Sequence, residues 1–189
     1  MIEGSKSILR RVEREDLALI ANWRNRPDIW QHFFNAFPIV RSGQERWFDS
    51  LLSATDRVLF VIVDKISLAP IGTVGFDRID WRDRNAEYGN MLIGSLEHIG
   101  RGYARDATMT LLSYGFLELG LERVYLNVAA LNQHAIQLYE ACGFQREGIL
   151  RQSFFRKGSF QDKVLMSILR REFSGDAIDE SYLRKDERG

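Results

Sequence analysis

Cysteine is nearly absent. The single thiol in 189 residues, Cys142, excludes an intramolecular disulfide framework, and with only three histidines it cannot build a cysteine-based zinc site. A reducing compartment fits that composition, and the cytoplasm is the expected location. An excess of charge is missing too: 26 Lys+Arg balance 26 Asp+Glu, and the pI is near 6.8. A dedicated nucleic-acid binder needs a basic footprint to replace phosphate counterions, so nucleic acid is not an expected partner. No apolar run reaches the roughly 18 residues of a membrane span. The opening MIEGSKSILRRVERED has no apolar core to act as a signal peptide, and a membrane is not an expected partner either. Internal repeats and low-complexity stretches are also lacking. What is present, at 45% hydrophobic and 12% aromatic, reads as one folded domain over 1–173 followed by a polar tail, 174–189.

Alternation over 7–13 predicts a first strand, and Glu15 and Asp16 then open a helix with Leu17, Ile20 and Trp23 on one face, ended by Pro27. The segment 28–40 is aromatic without periodicity. A second helix is expected over 42–52 with Trp47, Phe48, Leu51 and Leu52 inward. The β-branched run 57–65 and the alternating run that follows the turn at 67–70 predict a hairpin, and the charged turn 82–84 leads into a fourth strand over 85–94. From 101 to 119, Tyr103, Ala107, Leu111, Tyr114 and Leu117 keep helical spacing, with Gly120 as a left-handed cap. A strand over 123–130, a helix over 132–142 capped by Asn132 and closed by Gly143, and two strands joined at Lys157, Gly158 and Ser159 complete the chain. The expected class is α/β. It has about seven strands and about four helices, mostly antiparallel, with one parallel crossover joining the fourth and fifth strands through the long helix.

Two stretches carry chemistry. In IGRGYARDA, two glycines lie between a strand and the first turn of the longest helix. Unpaired amides at such a start attract phosphate, and glycine allows a close approach that a Cβ would obstruct; alternatively the glycines only turn the chain. GK[ST] is absent, and so is the third glycine of the dinucleotide fingerprint. In NQHAIQLYEACGF, Asn132 and Tyr139 share one helix face about 10 Å apart along the axis. A tyrosine hydroxyl can protonate a leaving group and a helix-start asparagine can cap and touch ligand together; packing and simple capping are the competing readings.

Both stretches follow adjacent parallel strands and so flank the carboxyl ends of one strand pair, where open sheets bind ligands. Together they make the sequence resemble the GCN5-related N-acetyltransferases over about 7–173, including the spermidine, ribosomal-protein alanine and nucleotide-linked amino-sugar branches. In 99–104 the Gly and Ala positions of the family's R/Q-x-x-G-x-G/A signature match, while Ile99 stands where the family has Arg or Gln. Asn132, Ala135, Tyr139, Gly143 and Phe144 match its N-x-x-A-x-x-x-Y-x-x-x-G-F pattern. The resemblance implies acetyl-CoA as cosubstrate, no metal, and a small-molecule amine acceptor, with a homodimer among the assemblies left open. It implies that the fourth and fifth strands splay, that backbone groups at Leu92 and Ile93 pair with the pantetheine arm, and that an amide near Leu92 stabilises the oxyanion. Gly100, Arg101, Gly102, Tyr103 and Ala104 would hold the pyrophosphate, Asn132 would contact the cosubstrate, and Tyr139 would protonate the departing thiolate.

An attacking amine must be neutral, and Glu87, at the start of the fourth strand, is the expected base; an exposed strand glutamate paired with Arg84 or another basic residue is the alternative. The acceptor is expected to meet the N-terminal third, where Trp23, Arg24, Asn25, Trp30 and Phe33 suggest stacking on a nucleotide-linked amino sugar; burial of the rings is the competing reading. A protein N-terminal amine or a polyamine is the alternative acceptor. A polyamine site could draw on Asp77, Asp80 and Asp83, interspersed with Arg78, Arg82 and Arg84. A catalytically silent acyl-CoA sensor is the alternative of another class. The histidines have no metal-ligand spacing, and Cys142 reads as a small buried side chain.

Overall fold

The computed structural model describes residues 1–34 and 37–174. The polar tail therefore lies, beyond Ser174, outside the described residues, as do two positions of the aromatic segment 28–40. Eight strands form one sheet in the order β1-β2-β3-β4-β5-β6-β8-β7. They are β1 (Ile2–Glu3), β2 (Ser7–Arg11), β3 (Val58–Asp64), β4 (Pro70–Asp80), β5 (Asn85–Ile93), β6 (Arg123–Ala129), β7 (Gln145–Arg156) and β8 (Ser159–Leu169). Among the described residues only β5 and β6 run parallel. The eighth strand, β1, has two residues and is too short to show any alternation in sequence.

The helices are α1 (Leu17–Asn25), α2 (Pro27–Trp30), α3 (Arg41–Leu52), α4 (Tyr103–Ser113) and α5 (Gln133–Ala141). The additional helix, α2, starts on Pro27, whose fixed φ and missing N–H suit a first helical turn, so the proline that ends α1 also begins a new helix. Helices cover both faces of the sheet. Along β3, Val58, Phe60 and Ile62 join the core under α4, with Phe76, Leu111, Phe116 and Leu126. Leu59, Val61 and Val63 point to the other face and meet Leu17, Ile20, Trp23, Phe48 and Leu51 of α1 and α3. Strand geometry sends alternate side chains to opposite faces, and burial on both turns β3 into the continuous apolar run seen in sequence.

Two expected inward faces slip. The single helix expected over 101–119 is α4 followed by a π turn, Tyr114–Glu118, where Leu119 N donates to Tyr114 O at 3.1 Å. The i→i−5 bond adds a residue to the turn and advances the phase, burying Phe116 and leaving Leu117 52% exposed. Leu52, at the end of α3, is 60% exposed, while Gln44 on the inner face is buried and donates to Leu17 O. No helix among the described residues is long and apolar enough to cross a membrane.

Candidate active site

Strands β5 and β6 pair only through Asn85↔Arg123, Ala86↔Val124 and Glu87↔Tyr125, and then part. The cause is visible in β5. Between Thr73↔Leu92 and Gly75↔Gly89 two steps along β4 oppose three along β5, a bulge centred on Asn90, which adopts φ 56°. Asn90 is held from three sides: Thr73 Oγ1 donates to its carbonyl at 2.7 Å, Arg24 Nη1 donates to its Oδ1 at 3.1 Å, and its Nδ2 donates to Asp77 Oδ2 at 2.7 Å. Beyond the bulge, the side of Met91, Leu92 and Ile93 that faces away from β4 has no strand opposite it. The gap opens into a cavity of about 920 Å³ that these three residues line.

One end of the cavity is the start of α4. Gly100 and Gly102 have φ 75° and 86°, and no heavy atom lies within 4 Å of where a Cβ on Gly100 would sit. The first helical bond runs from Asp106 N to Gly102 O at 3.0 Å, leaving the amides of Tyr103, Ala104 and Arg105 with no acceptor among the described residues. This fits a phosphate chain, which offers the oxygens those donors lack. Arg101 and Tyr103 do not line the cavity. Arg101 accepts Lys6 Nζ on its carbonyl, and the Tyr103 hydroxyl donates to Asp64 Oδ1 at 2.6 Å. Hydrogen bonds from Ser67 and then Tyr103 hold the Asp64 carboxyl well below the usual carboxylate range.

Asn132 caps α5, accepting Ala135 N at 3.2 Å, and its Nδ2 meets His32 Nδ1 at 3.3 Å across the cavity. Burial lowers the His32 pKa. Tyr139 packs edge-on against Tyr88 and Phe144, with ring centroids 5.6 and 5.8 Å away. Its hydroxyl makes no hydrogen bond among the described residues, and burial pushes its pKa up, so it stays protonated and able to donate. Cys142 at the end of α5 is buried, and its thiol is pushed up to about 11 by burial, which makes it a poor nucleophile.

The other end is made of side chains. Glu87 accepts Arg78 Nη1 at 2.8 Å and Asn127 Nδ2 at 3.1 Å, so it is paired with a basic residue, as the competing reading allowed, and that residue is Arg78. Asp77 stands directly opposite Glu87 on β4, and burial, then the Glu87 charge, raise its pKa. Arg57, His32 and Phe33 close the wall. Of the residues expected to meet the acceptor, only Phe33 lines this cavity. Trp23 is 7% exposed and lies against Gly94, where any Cβ would strike its ring, so it is core. Asn25 ties the loop down, exchanging two 2.8 Å hydrogen bonds with Ile39. Trp30 is covered by the Arg156 guanidinium, 4.5 Å from its ring centroid. Arg24 stacks on Phe33 at 4.0 Å and lines a separate cavity of about 260 Å³ beneath α1 and α3; burial lowers its pKa.

Sequence reasoning weighed Asp77 only as one of several acidic residues and passed over Asn127 and Arg57. Alternation gave no special signal for Asn127, which falls in step with Arg123 and Tyr125 on the half-exposed face of β6 while Val124, Leu126 and Val128 are buried. Among the described residues, no group of three or more His, Cys, Asp or Glu is placed to hold a metal ion.

A splayed parallel pair, a glycine-opened helix start and a tyrosine on the following helix fit an acyl-CoA-dependent transferase, and a family model settles the class. The acetyltransferase (GNAT) domain matches residues 6–145, and the chain belongs to that family. It is an N-acetyltransferase that uses acetyl-CoA, which sets aside the silent sensor. It is 34% identical over 170 residues to a spermidine N(1)-acetyltransferase of Vibrio cholerae, covering 90% of this chain and 96% of that protein. It is 33% identical to an uncharacterized N-acetyltransferase, p20, of Bacillus licheniformis, over 88% of this chain and 94% of that one. The crystal structure of the Vibrio cholerae spermidine enzyme with CoA and spermine superposes with a TM-score of 0.83 at 35% identity, covering 89% of this chain and 98% of that one.

Proposed function

We propose that this enzyme acetylates a primary amine of a polyamine-like small molecule, with Glu87 as the proton acceptor, Asp77 as the second contact for a cationic acceptor and Tyr139 as the proton donor to sulfur. The observation that carries the reading is the cross-strand pair of Asp77 and Glu87, two carboxylates side by side at the end of the cavity away from the α4 start. Such a pair attracts an ammonium and can take its proton. The spermidine enzyme named above supports the same acceptor class. The side chains of Trp23, Arg24 and Asn25, which suggested a nucleotide-linked amino sugar in sequence, are engaged in packing and internal bonds.

Acetyl-CoA supplies an activated acetyl thioester. The open amides at the start of α4 bind its phosphates, and the unpaired side of Leu92 and Ile93 receives the pantetheine arm as an added strand would. Arg57 and Arg78, in the same wall as the carboxylates, favour a second reading in which the acceptor carries a negative charge beside its amine.

Thiol release from acetyl-CoA separates the two. Spermidine and spermine should be turned over, and a nucleotide-linked amino sugar and a peptide with an N-terminal alanine should not; the reverse result overturns the polyamine reading. Asp77→Asn should raise KM for spermidine by roughly 5- to 30-fold, the scale of one lost charge-assisted hydrogen bond. Its raised pKa fixes the sign with pH. As pH falls through that pKa the charge of Asp77 is lost, so the wild-type KM rises on the acid side, and Asp77→Asn should flatten that limb.

A further inference from the structure

Asn127 has an oxygen that nothing among the described residues uses. Its Nδ2 donates to Glu87 Oε1 at 3.1 Å, and because a carboxylate only accepts, this bond fixes which way the amide points. The Oδ1 is therefore not the atom that meets Glu87; it is buried and has no hydrogen-bond partner among the described residues. An unpaired buried amide oxygen is destabilising, and this one belongs to a residue that lines the cavity two positions past the last β5–β6 pair. The missing donor fits a ligand nitrogen beside Glu87.

We propose that Asn127 Oδ1 accepts the N–H that the acceptor nitrogen keeps in the product, and that it thereby selects primary over secondary amines; this rests on Glu87 taking the acceptor's proton. A primary ammonium brings three N–H bonds. The C–N bond forms and the C–S bond breaks, the C–S electron pair leaves on sulfur, and sulfur takes a proton from Tyr139. Nitrogen gives up two protons through Glu87: one passes to solvent and the other restores Tyr139. The third remains on the amide nitrogen, next to Asn127 Oδ1. A secondary ammonium loses both of its protons, and its product amide has no N–H to offer. The oxygen then stays unpaired against an alkyl group, the kind of mismatch by which polar sites reject analogues lacking a donor.

The test compares kcat/KM for spermine and for spermine methylated on both terminal nitrogens, in the wild-type enzyme, Asn127→Leu, Asn127→Asp and Glu87→Gln. The wild type should prefer spermine. Asn127→Leu also loses the Nδ2 bond to Glu87 and should slow both amines, but it should lower kcat/KM for spermine a further roughly 5- to 100-fold, so that the preference collapses, the pattern of one more hydrogen bond lost with one substrate only. Asn127→Asp keeps an accepting oxygen and should keep the preference, and both variants should bind coenzyme A as the wild type does. An Asn127→Leu enzyme that retains the preference, or that slows both amines equally, overturns the inference, and so does a wild type that does not discriminate. If Glu87→Gln leaves both rates unchanged, the assignment of Glu87 falls and this inference with it. If Glu87→Gln slows both amines while Asn127→Leu keeps the preference, only the role of Asn127 falls.

Discussion

At the α4 end of the cavity the groups that face a ligand are main-chain amides, set by two left-handed glycines and a helix start. At the other end they are side chains of β4, β5 and β6, each held by another side chain: Asp77 by Asn90, Glu87 by Arg78 and Asn127, Asn90 by Arg24. The contrast implies different tolerances. A main-chain site depends on backbone conformation and survives changes at exposed side chains such as Arg101, and it suits a ligand part that every member of a family shares. A side-chain site changes its preference one residue at a time, and it suits an acceptor that differs between relatives.

The largest expected effect tests the main-chain end. Gly102→Asp puts an L side chain at φ 86°, a conformation costing roughly 1–2 kcal/mol, and adds a negative charge to the loop, its Cβ 3.7 Å from Lys6 Nζ. Calorimetry should show coenzyme A bound more than about 100-fold more weakly, strain and charge repulsion acting together. A folded variant that binds as the wild type does would break the comparison at its foundation.

Next comes Tyr139→Phe, which removes one hydroxyl and leaves the ring packed on Tyr88 and Phe144. We expect kcat to fall roughly 10- to 1000-fold with coenzyme A affinity kept, the range of lost acid catalysis. Because burial raises the pKa of this phenol, the donor keeps its proton as pH rises, and the wild-type rate should show no alkaline loss from it up to about pH 9. Loss of coenzyme affinity with kcat unchanged would move Tyr139 from the chemistry to binding.

The smallest effect belongs to an ion pair outside both ends. Glu147 accepts both Arg123 Nη1 and Nη2 at 2.6 Å and Ser167 Oγ at 2.7 Å, and these partners hold its carboxyl down at about 2. A depressed folded-state pKa contributes stability that is present above the unfolded value near 4.5 and is lost as pH falls through about 2. The side chain is 35% exposed, so solvent screening limits the contribution to about 0.5–1 kcal/mol. Glu147→Gln should lower Tm slightly at neutral pH, with the difference vanishing in acid, while KM for both substrates stays put. A shift in either KM would show that the β7–β8 pair reaches the cavity.

The same contrast governs how much could be read in advance. Gly100, Gly102, Asn132 and Gly143 announce themselves because a left-handed turn or a helix cap is decided within a few residues, and each has the conformation or bond expected of it. The hairpins were legible for the same reason. The burial of Trp23 was legible from its spacing with Leu17 and Ile20, but its contact with Gly94, 71 positions along the chain and across the sheet, was not. Nor was the Asp77–Glu87 pairing, which follows from register shifts in β4 and β5 that no local pattern encodes. The π turn after α4 escaped because it alters phase without altering composition, and 28–40 escaped because its rings answer to several partners at once. Asn90 looks in sequence like an ordinary strand residue, yet it bends β5 away from β6 and touches the wall of both cavities.

One contact near the beginning of the chain has a temporal meaning. Asp106 Oδ1 accepts Ser5 N at 2.9 Å, and Oδ2 accepts Lys6 N at 3.1 Å, Ser7 N at 2.9 Å and Ser7 Oγ at 2.7 Å. Lys6 Nζ in turn donates to Arg101 O at 3.0 Å. The glycine loop is thus clamped by residues translated about a hundred codons before it, a closure of the long-range kind that slows folding. During synthesis these contacts cannot form until α4 has left the ribosome, so the clamp on the loop closes only when the early and late pieces meet.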